Sequence, residues 1–362
     1  MRVPDWVAQA EEEAPTAITA TFPAPVTSVG RPPYTRVNVW YATDRAPTGS
    51  TAPNDFYGHA RGDGSPPGLG VCEVSVPDDH RIAEIERPHW WRLEFSEDPA
   101  RHIVILSTRP QTDDAFFASL RTRTAAAPPR EQAFVFIHGY NVAFDESIRR
   151  TAQLAYDLQF KGAAIAYSWP AEDNPLRYTV AEGNALWSVP HLQAFLLRLT
   201  AESGARTIHL IGHSLGNRIM ADALDRIAIV AADRLPMFQE VVLTAPDIDL
   251  GVFKQIAAAV KKTAGQVTIY VSSRDEALVA SARLHAFARV GLAPPNPLVV
   301  DGVDTIDASS VTTSFLGHSY AQDTTTVLSD LFPLIKDGKR AADRFWLRPT
   351  PAGYFEFRRG ER

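Results

Sequence analysis

The chain has 362 residues, 45% hydrophobic and 22% charged, with a formal net charge of −6. That is length and apolar content for one large domain with extensions, or two domains, and it argues against wholesale disorder. The acidic balance provides no basic field for nucleic acid or anionic lipid, so nucleic acid is not an expected partner. The single cysteine, Cys72, rules out an intrachain disulfide and any multi-cysteine metal centre, and no metal or other cofactor is expected. Within VCEVSV, Cys72 reads as a buried strand residue. No run of about 18 apolar residues is available to span a membrane.

In chain order, residues 1–33 are rich in Ala, Pro, Thr and Glu without periodicity, which predicts a flexible or extended tail. Its acidic start, MRVPDWVAQAEEEAP, has no apolar signal region, so the cytoplasm is the default compartment unless a leader has been removed. Residues 34–130 predict a β-rich section joined to the core: VNVWYATDR, LGVCEVSVP and RHIVILST are short strands around the loop GHARGDGSPPG. The prolines of TRTAAAPPREQ then mark a break.

Residues 131–336 alternate between apolar strands and helical stripes. FVFIHG, AAIAYSW, TIHLIG, EVVLTAP, VTIYVSS and DTIDAS are the strands. Ile148, Ala152, Ala155 and Leu158 form one stripe and Leu192, Phe195, Leu196 and Leu199 the next. Ile219, Met220, Ala223, Leu224 and Ile227 follow, then Phe253, Ile256, Ala257 and Val260. The fold class is therefore α/β, a doubly wound, mostly parallel sheet with an N-terminal β-rich extension. Residues 337–362, basic with interleaved aromatics, are expected to form a strap packed on the body rather than a polyanion site.

In such a sheet ligands bind at the carboxyl ends of the strands. His138, Trp169, Ser214, Asp247 and Asp275 each follow directly on an apolar strand, so they are expected on one edge. Within IHLIGHSLGNRI the pattern Gly-x-Ser-x-Gly arises by chance in roughly one chain in ten of this length. Its place between an apolar strand and an amphipathic helix singles out Ser214 as a nucleophile on a sharp turn. A serine needs a base, and His318 in TSFLGHSY, a loop after the last strand, is the expected one. His285 lies in a helical pattern and reads as packed or solvent-facing, His213 beside the nucleophile points away from the attacking face and reads as packing or as support for its neighbours, and His138, His191 and His209 read as structural residues of strands and helices. Asp275 is the expected acid that orients the base, with Asp247 the alternative; otherwise Asp247 would cap the helix starting near Leu250. The N–H groups of Leu215 and Tyr140 are the expected oxyanion donors, with Asn141 bracing the loop. Trp169, Tyr178 and Trp187 either line a substrate pocket or pack beneath a loop, and residues 171–190 are long and mixed enough to lie over the site as a small cap, which the sequence leaves open.

Together FVFIHGYN, AYSWP, IHLIGHSLGNRI, LTAPDID, SSRDEAL and FLGHSY resemble the α/β-hydrolase superfamily. With VWYATDR, FYGHARGD and VPDDHRIAEIERP, the chain resembles more narrowly a bacterial branch of alpha/beta hydrolases of unknown function, over roughly residues 36–330. The resemblance implies a doubly wound sheet and a Ser-Asp-His triad at Ser214, Asp275 and His318. It implies a serine esterase or lipase-like activity on a small-molecule or lipid-like ester. A peptidase, amidase or thioesterase on the same triad, or a non-catalytic binding scaffold, are the alternatives.

Overall fold

In a computed structural model, the described residues are 31–63, 66–88, 94, 96–126, 131–171, 178–293, 297–311 and 325–358. Strand β1 (Tyr34–Thr43) runs into a small antiparallel pair, β2 (Arg45–Pro47) and β3 (Tyr57–Arg61), followed by β4 (Gly68–Pro77), β5 (Val104–Gln111) and α1 (Asp113–Ala125). Strands and helices then alternate as β6 (Gln132–Ile137), α2 (Phe144–Asp157), β7 (Ala163–Ser168), α3 (Tyr178–Glu202) and β8 (Thr207–His213). The alternation continues through α4 (Gly216–Val230), β9 (Phe238–Thr244), α5 (Leu250–Thr263), β10 (Ala264–Val271), α6 (Glu276–His285) and β11 (Asp304–Asp307). The last elements are α7 (Thr325–Asp337), β12 (Leu347–Pro349) and β13 (Phe355–Phe357).

Eleven strands form one sheet in the order β12, β13, β11, β10, β9, β8, β6, β7, β1, β4, β5. All neighbours from β13 to β1 are parallel, and β12, β4 and β5 are antiparallel to the strand beside them. The β-rich front strands thus extend the central sheet: β1 pairs in parallel with β7, bringing Thr43 opposite Ser168. The near-continuous apolar strands are explained by burial on both faces. On one face Phe116 of α1, Leu192 of α3, Leu224 of α4 and Phe253 of α5 pack on Val135, Val241 and Val267. On the other, Leu154 of α2 and Leu331 of α7 cover Phe134, Phe136, Ile211 and Val242. Each such side chain contributes about 1.5–3 kcal/mol when fully buried. Cys72 lies inside β4 with no exposed surface, and burial pushes its thiol up to about 12, so it is an inert packing residue.

The chain steps from β6 outward to β7 and returns to β8 on the opposite side of β6. This reversal makes the carboxyl ends of β6 and β8 the topological switch point of the sheet, the place where open α/β sheets bind ligands. The register keeps the strand ends level, with Ile137 opposite Gly212 and His213 opposite Thr244.

Two buried polar clasps tie outlying segments to this body. Arg344, after α7, donates to Asp330 Oδ2 (2.6 Å) and to the Tyr270 hydroxyl (2.9 Å), anchoring the segment that returns as β12 and β13. His80, after β4, is bracketed by Glu86 at Nδ1 and Asp157 of α2 at Nε2, both at 2.9 Å. Burial alone would lower the pKa of His80, but the hydrogen bonds and charges of Asp157 and Glu86 outweigh it and raise it to about 9. Because the folded value lies above the unfolded one, the stabilisation is complete below about pH 6.5 and is lost as pH rises through about 9. The melting-temperature difference between wild type and His80→Gln is therefore expected to shrink between pH 6.5 and pH 9.5. A difference constant over that range would contradict a charged His80.

Candidate active site

The turn between β8 and α4 carries Ser214 at φ 49°, a left-handed conformation that residues with a Cβ seldom adopt. Neighbouring backbone holds it there. The Ser214 N–H donates to Thr244 O of β9 (3.1 Å), and its carbonyl accepts from Asn217 N (3.1 Å) and Asp247 N (3.2 Å). Asn217 fastens the same corner by donating to Thr244 O (2.9 Å). Gly216 explains how tightly α4 docks: a Cβ there would stand 2.2 Å from the carbonyl oxygen of His138. The strain can be measured. Ser214→Gly is expected to raise stability by about 1 kcal/mol, or about 1–2 °C in melting temperature, by removing the left-handed penalty. An unchanged or lower melting temperature would count against a strained turn.

The loop leaving β6 lies against this turn. A Cβ on Gly139 would come 2.9 Å from the Cβ of Ser214, so only glycine lets the two backbones approach this closely. Leu215 heads α4, where the first N–H groups have no intrahelical carbonyl to bond and the helix dipole favours negative charge. Asn141 also has a positive φ, 56°, so the loop turns back sharply after Tyr140. Of the two sequence readings for Trp169, pocket wall or packing beneath a loop, the structure shows the second: it is completely buried beneath this loop. Its indole N–H donates to His138 O (2.7 Å) and its ring stacks on His138 at 5.3 Å, so it supports the loop.

His138 is buried, and burial together with the Arg45 charge holds its pKa well below the usual histidine range. Burial and the nearby Arg150 charge push His213 down to about 3. Neither neutral imidazole is poised to take a serine proton near neutral pH. His318 lies outside the described residues. His285 is tied into α6 and to α3, with Nδ1 2.8 Å from Ser281 O and Nε2 3.1 Å from Glu182 Oε1.

The two carboxylates differ in their partners. Asp275 caps α6, its Oδ1 accepting from Leu278 N (3.0 Å). Burial raises its pKa, the α6 N–H groups oppose the rise, and the charge of Asp247 adds to it. Asp247 is 4% exposed and engaged on every side. It accepts from the Tyr178 hydroxyl and from Ser281 Oγ (2.8 Å), and Arg289 Nε lies 3.2 Å from Oδ1. It does not cap α5, as its sequence position suggested: that cap is Asp249, whose Oδ1 accepts from Val252 N at 2.9 Å. Asp249 stands directly before the first helical residue, which is where a cap belongs.

The stretch long enough to form a cap is helical from Tyr178 onward and continues without interruption into the rest of α3; residues 172–177 lie outside the described residues. Tyr178 leans on the site, its ring 5.1 Å from that of Tyr140 in a T-shaped contact, and burial and the Asp247 charge raise its phenol pKa. Trp187 lies one helix face away and lines a cavity of about 490 Å³ over the carboxyl end of β1, with Asp44, Arg45, Tyr57, Arg61 and His191. The structure thus brings Ser214, Gly139, Asp247 and Asp275 to one sheet edge, Tyr178 beside them and Trp187 at a neighbouring hollow. The polar partners Ser281 and Arg289 carry no motif of their own in the sequence, whereas Arg45 closes VWYATDR and follows the same strand-end rule that singles out Ser214.

A family model described as alpha/beta hydrolase of unknown function (DUF900) matches residues 114–335, more than half of the chain. No curated protein matches it. Among solved structures, the chain is similar to the esterase domain of a Rhodothermus marinus protein, with 15% identity over 60% of this chain and 88% of that one, and a TM-score of 0.33. It is also similar to an esterase from Pyrobaculum calidifontis, with 12% identity over 75% of this chain and 82% of that one, TM-score 0.33. A fungal esterase from Rhizomucor miehei aligns at 11% identity over 74% and 78% of the two chains, TM-score 0.34. Likenesses this distant carry no argument about chemistry.

Proposed function

Because the chain belongs to the alpha/beta hydrolases of unknown function, we propose that it cleaves carboxylic esters through an acyl-enzyme on Ser214, with His318 as base and Asp275 as the orienting acid. The observation that carries this proposal is Ser214 at φ 49° between β8 and α4, with Gly139 pressed against it. Holding a serine in a costly conformation at the switch point of the sheet serves presentation of its hydroxyl to a bound carbonyl.

In the proposed cycle His318 takes the Ser214 proton as Oγ attacks the ester carbonyl. The Leu215 and Tyr140 N–H groups receive the charge that builds on the carbonyl oxygen. Collapse of the tetrahedral intermediate breaks the bond to the alkoxy oxygen, which leaves as the alcohol with the proton from His318. Water, deprotonated by His318, then attacks the acyl-enzyme and releases the acid. Asp275 is favoured over Asp247 because Asp247 is already committed to Tyr178, Ser281 and Arg289. Tyr178 and Trp187 are proposed substrate contacts.

A p-nitrophenyl ester series from acetate to palmitate tests this. Wild type is expected to turn over at least one member with a pre-steady-state burst of p-nitrophenol, the sign of an accumulating acyl-enzyme. No turnover of any member above the Ser214→Ala protein would remove the ester-hydrolase proposal.

A further inference from the structure

Part of the bracing of the loop that carries the proposed oxyanion donor comes from outside the segment matched by the family model. Arg45 begins β2, directly past the end of β1, and is 3% exposed. All three of its guanidinium nitrogens are engaged. Nε donates to Ser168 Oγ (2.9 Å), Nη1 to Gly58 O (3.1 Å) and Nη2 to Val142 O (2.6 Å), with His138 Nε2 3.4 Å from Nη2.

These contacts select one tautomer of His138. A guanidinium only donates, so it faces an unprotonated His138 Nε2, and the Ser168 hydroxyl, 3.5 Å from the same nitrogen and itself accepting from Arg45 Nε, has its proton free to donate there too. The single proton of the neutral imidazole is then on Nδ1, which lies 2.8 Å from the carbonyl oxygen of Gly139 and donates to it. In a trans peptide the carbonyl and the following N–H point in opposite directions. Holding Gly139 O on the His138 ring therefore turns the Tyr140 N–H to the other side. The same short loop is fixed at two further carbonyls, His138 O by Trp169 Nε1 (2.7 Å) and Val142 O by Arg45.

We propose that Arg45 is a positioning residue for the oxyanion hole, acting through the His138 tautomer and the Val142 carbonyl to hold the Tyr140 N–H in its donating direction. The inference rests on the proposed serine-ester chemistry. It makes the β-rich front section a working part of the active site, since a chain limited to residues 114–335 lacks this brace. Arg45 touches no reacting atom; its effect passes through the loop.

The test uses full-length wild type, Arg45→Met and Arg45→Lys, each first checked for wild-type circular dichroism. Nitrogen-15 spectra of the imidazoles are expected to show His138 protonated at Nδ1 in wild type and to lose that single tautomer in Arg45→Met. On a p-nitrophenyl ester, Arg45→Met is expected to lower kcat about 10²-fold with KM within threefold. Affinity for a boronic acid, which forms a tetrahedral adduct on serine, should fall by the same factor, while the final stoichiometry of fluorophosphonate labelling stays at that of wild type. Arg45→Lys, a point charge without the fork, should recover less than tenfold of the loss. A wild-type His138 protonated at Nε2, or a folded Arg45→Met with kcat and boronate affinity within twofold of wild type, would overturn the assignment. A wild type that hydrolyses no ester and takes no label sinks the ester-hydrolase proposal instead, and the tautomer measurement still decides for or against the Arg45–His138 brace.

Discussion

Ser214→Ala is expected to lower kcat/KM on a p-nitrophenyl ester by about 10⁴–10⁶-fold, the range found when a serine nucleophile is removed and only binding and the oxyanion donors remain. The loss should be chemical and not structural. Alanine keeps the Cβ, so the left-handed strain at φ 49° persists, and the bonds that hold the turn are made by the backbone N–H and carbonyl of residue 214. The melting temperature is accordingly expected within about 2 °C of wild type. Steady-state kinetics alongside a thermal scan separate the two. Residual activity above a tenth of wild type, at equal folded protein, would mean that another group attacks the substrate.

The second large effect distinguishes the two carboxylates. Asp275→Asn preserves the cap of α6, because asparagine accepts from Leu278 N as aspartate does. What it removes is the charge that would orient and stabilise a protonated base, and the expected cost is about 10³–10⁴-fold in kcat with little change in stability. Asp247→Asn should behave in the opposite way. It leaves the buried Arg289 without its carboxylate and weakens the contacts with Tyr178 and Ser281, costing about 3 kcal/mol of stability. Its kcat per folded molecule should stay within tenfold of wild type. Paired measurements of kcat and melting temperature decide. A catalytic collapse confined to Asp247→Asn would transfer the acid's role to that residue.

The sheet is legible in the sequence because a parallel strand buried on both faces is written as an unbroken apolar run, as in FVFIH and IHLIG, and a run of that kind has few other uses. The elbow is legible because Gly-x-Ser-x-Gly falls between such a strand and a helix. Other elements have no such signature. Helix α1 (Asp113–Ala125) ends in the alanine and proline stretch that suggests only a break. Strand β3 (Tyr57–Arg61) hides in a glycine-rich segment and is held by its pairing with β2 rather than by its own composition.

The departures at the site share one cause. A strand-end position puts Trp169 near the site, but whether an aromatic faces a cavity or the core depends on which loop lies above it, here the one carrying His138. Asp247 reads as a helix cap because a two-residue offset cannot be resolved without the helix start, and Asp249 holds that place. The bracing contacts of Arg45 have no local signature because its partners, Gly58, His138, Val142 and Ser168, are separated from it along the chain by up to 123 residues and meet only when β1 pairs with β7. Local patterns predict which strand ends carry chemistry. Which distant residue braces them is decided by strand order.

The most direct test of a serine nucleophile at the sheet's switch point is covalent labelling. Wild-type protein treated with a fluorophosphonate and digested for mass spectrometry is expected to carry one adduct per chain, on the peptide containing Ser214, with none on the Ser214→Ala protein. A wild type that takes no label, or carries it on another residue, would contradict the account.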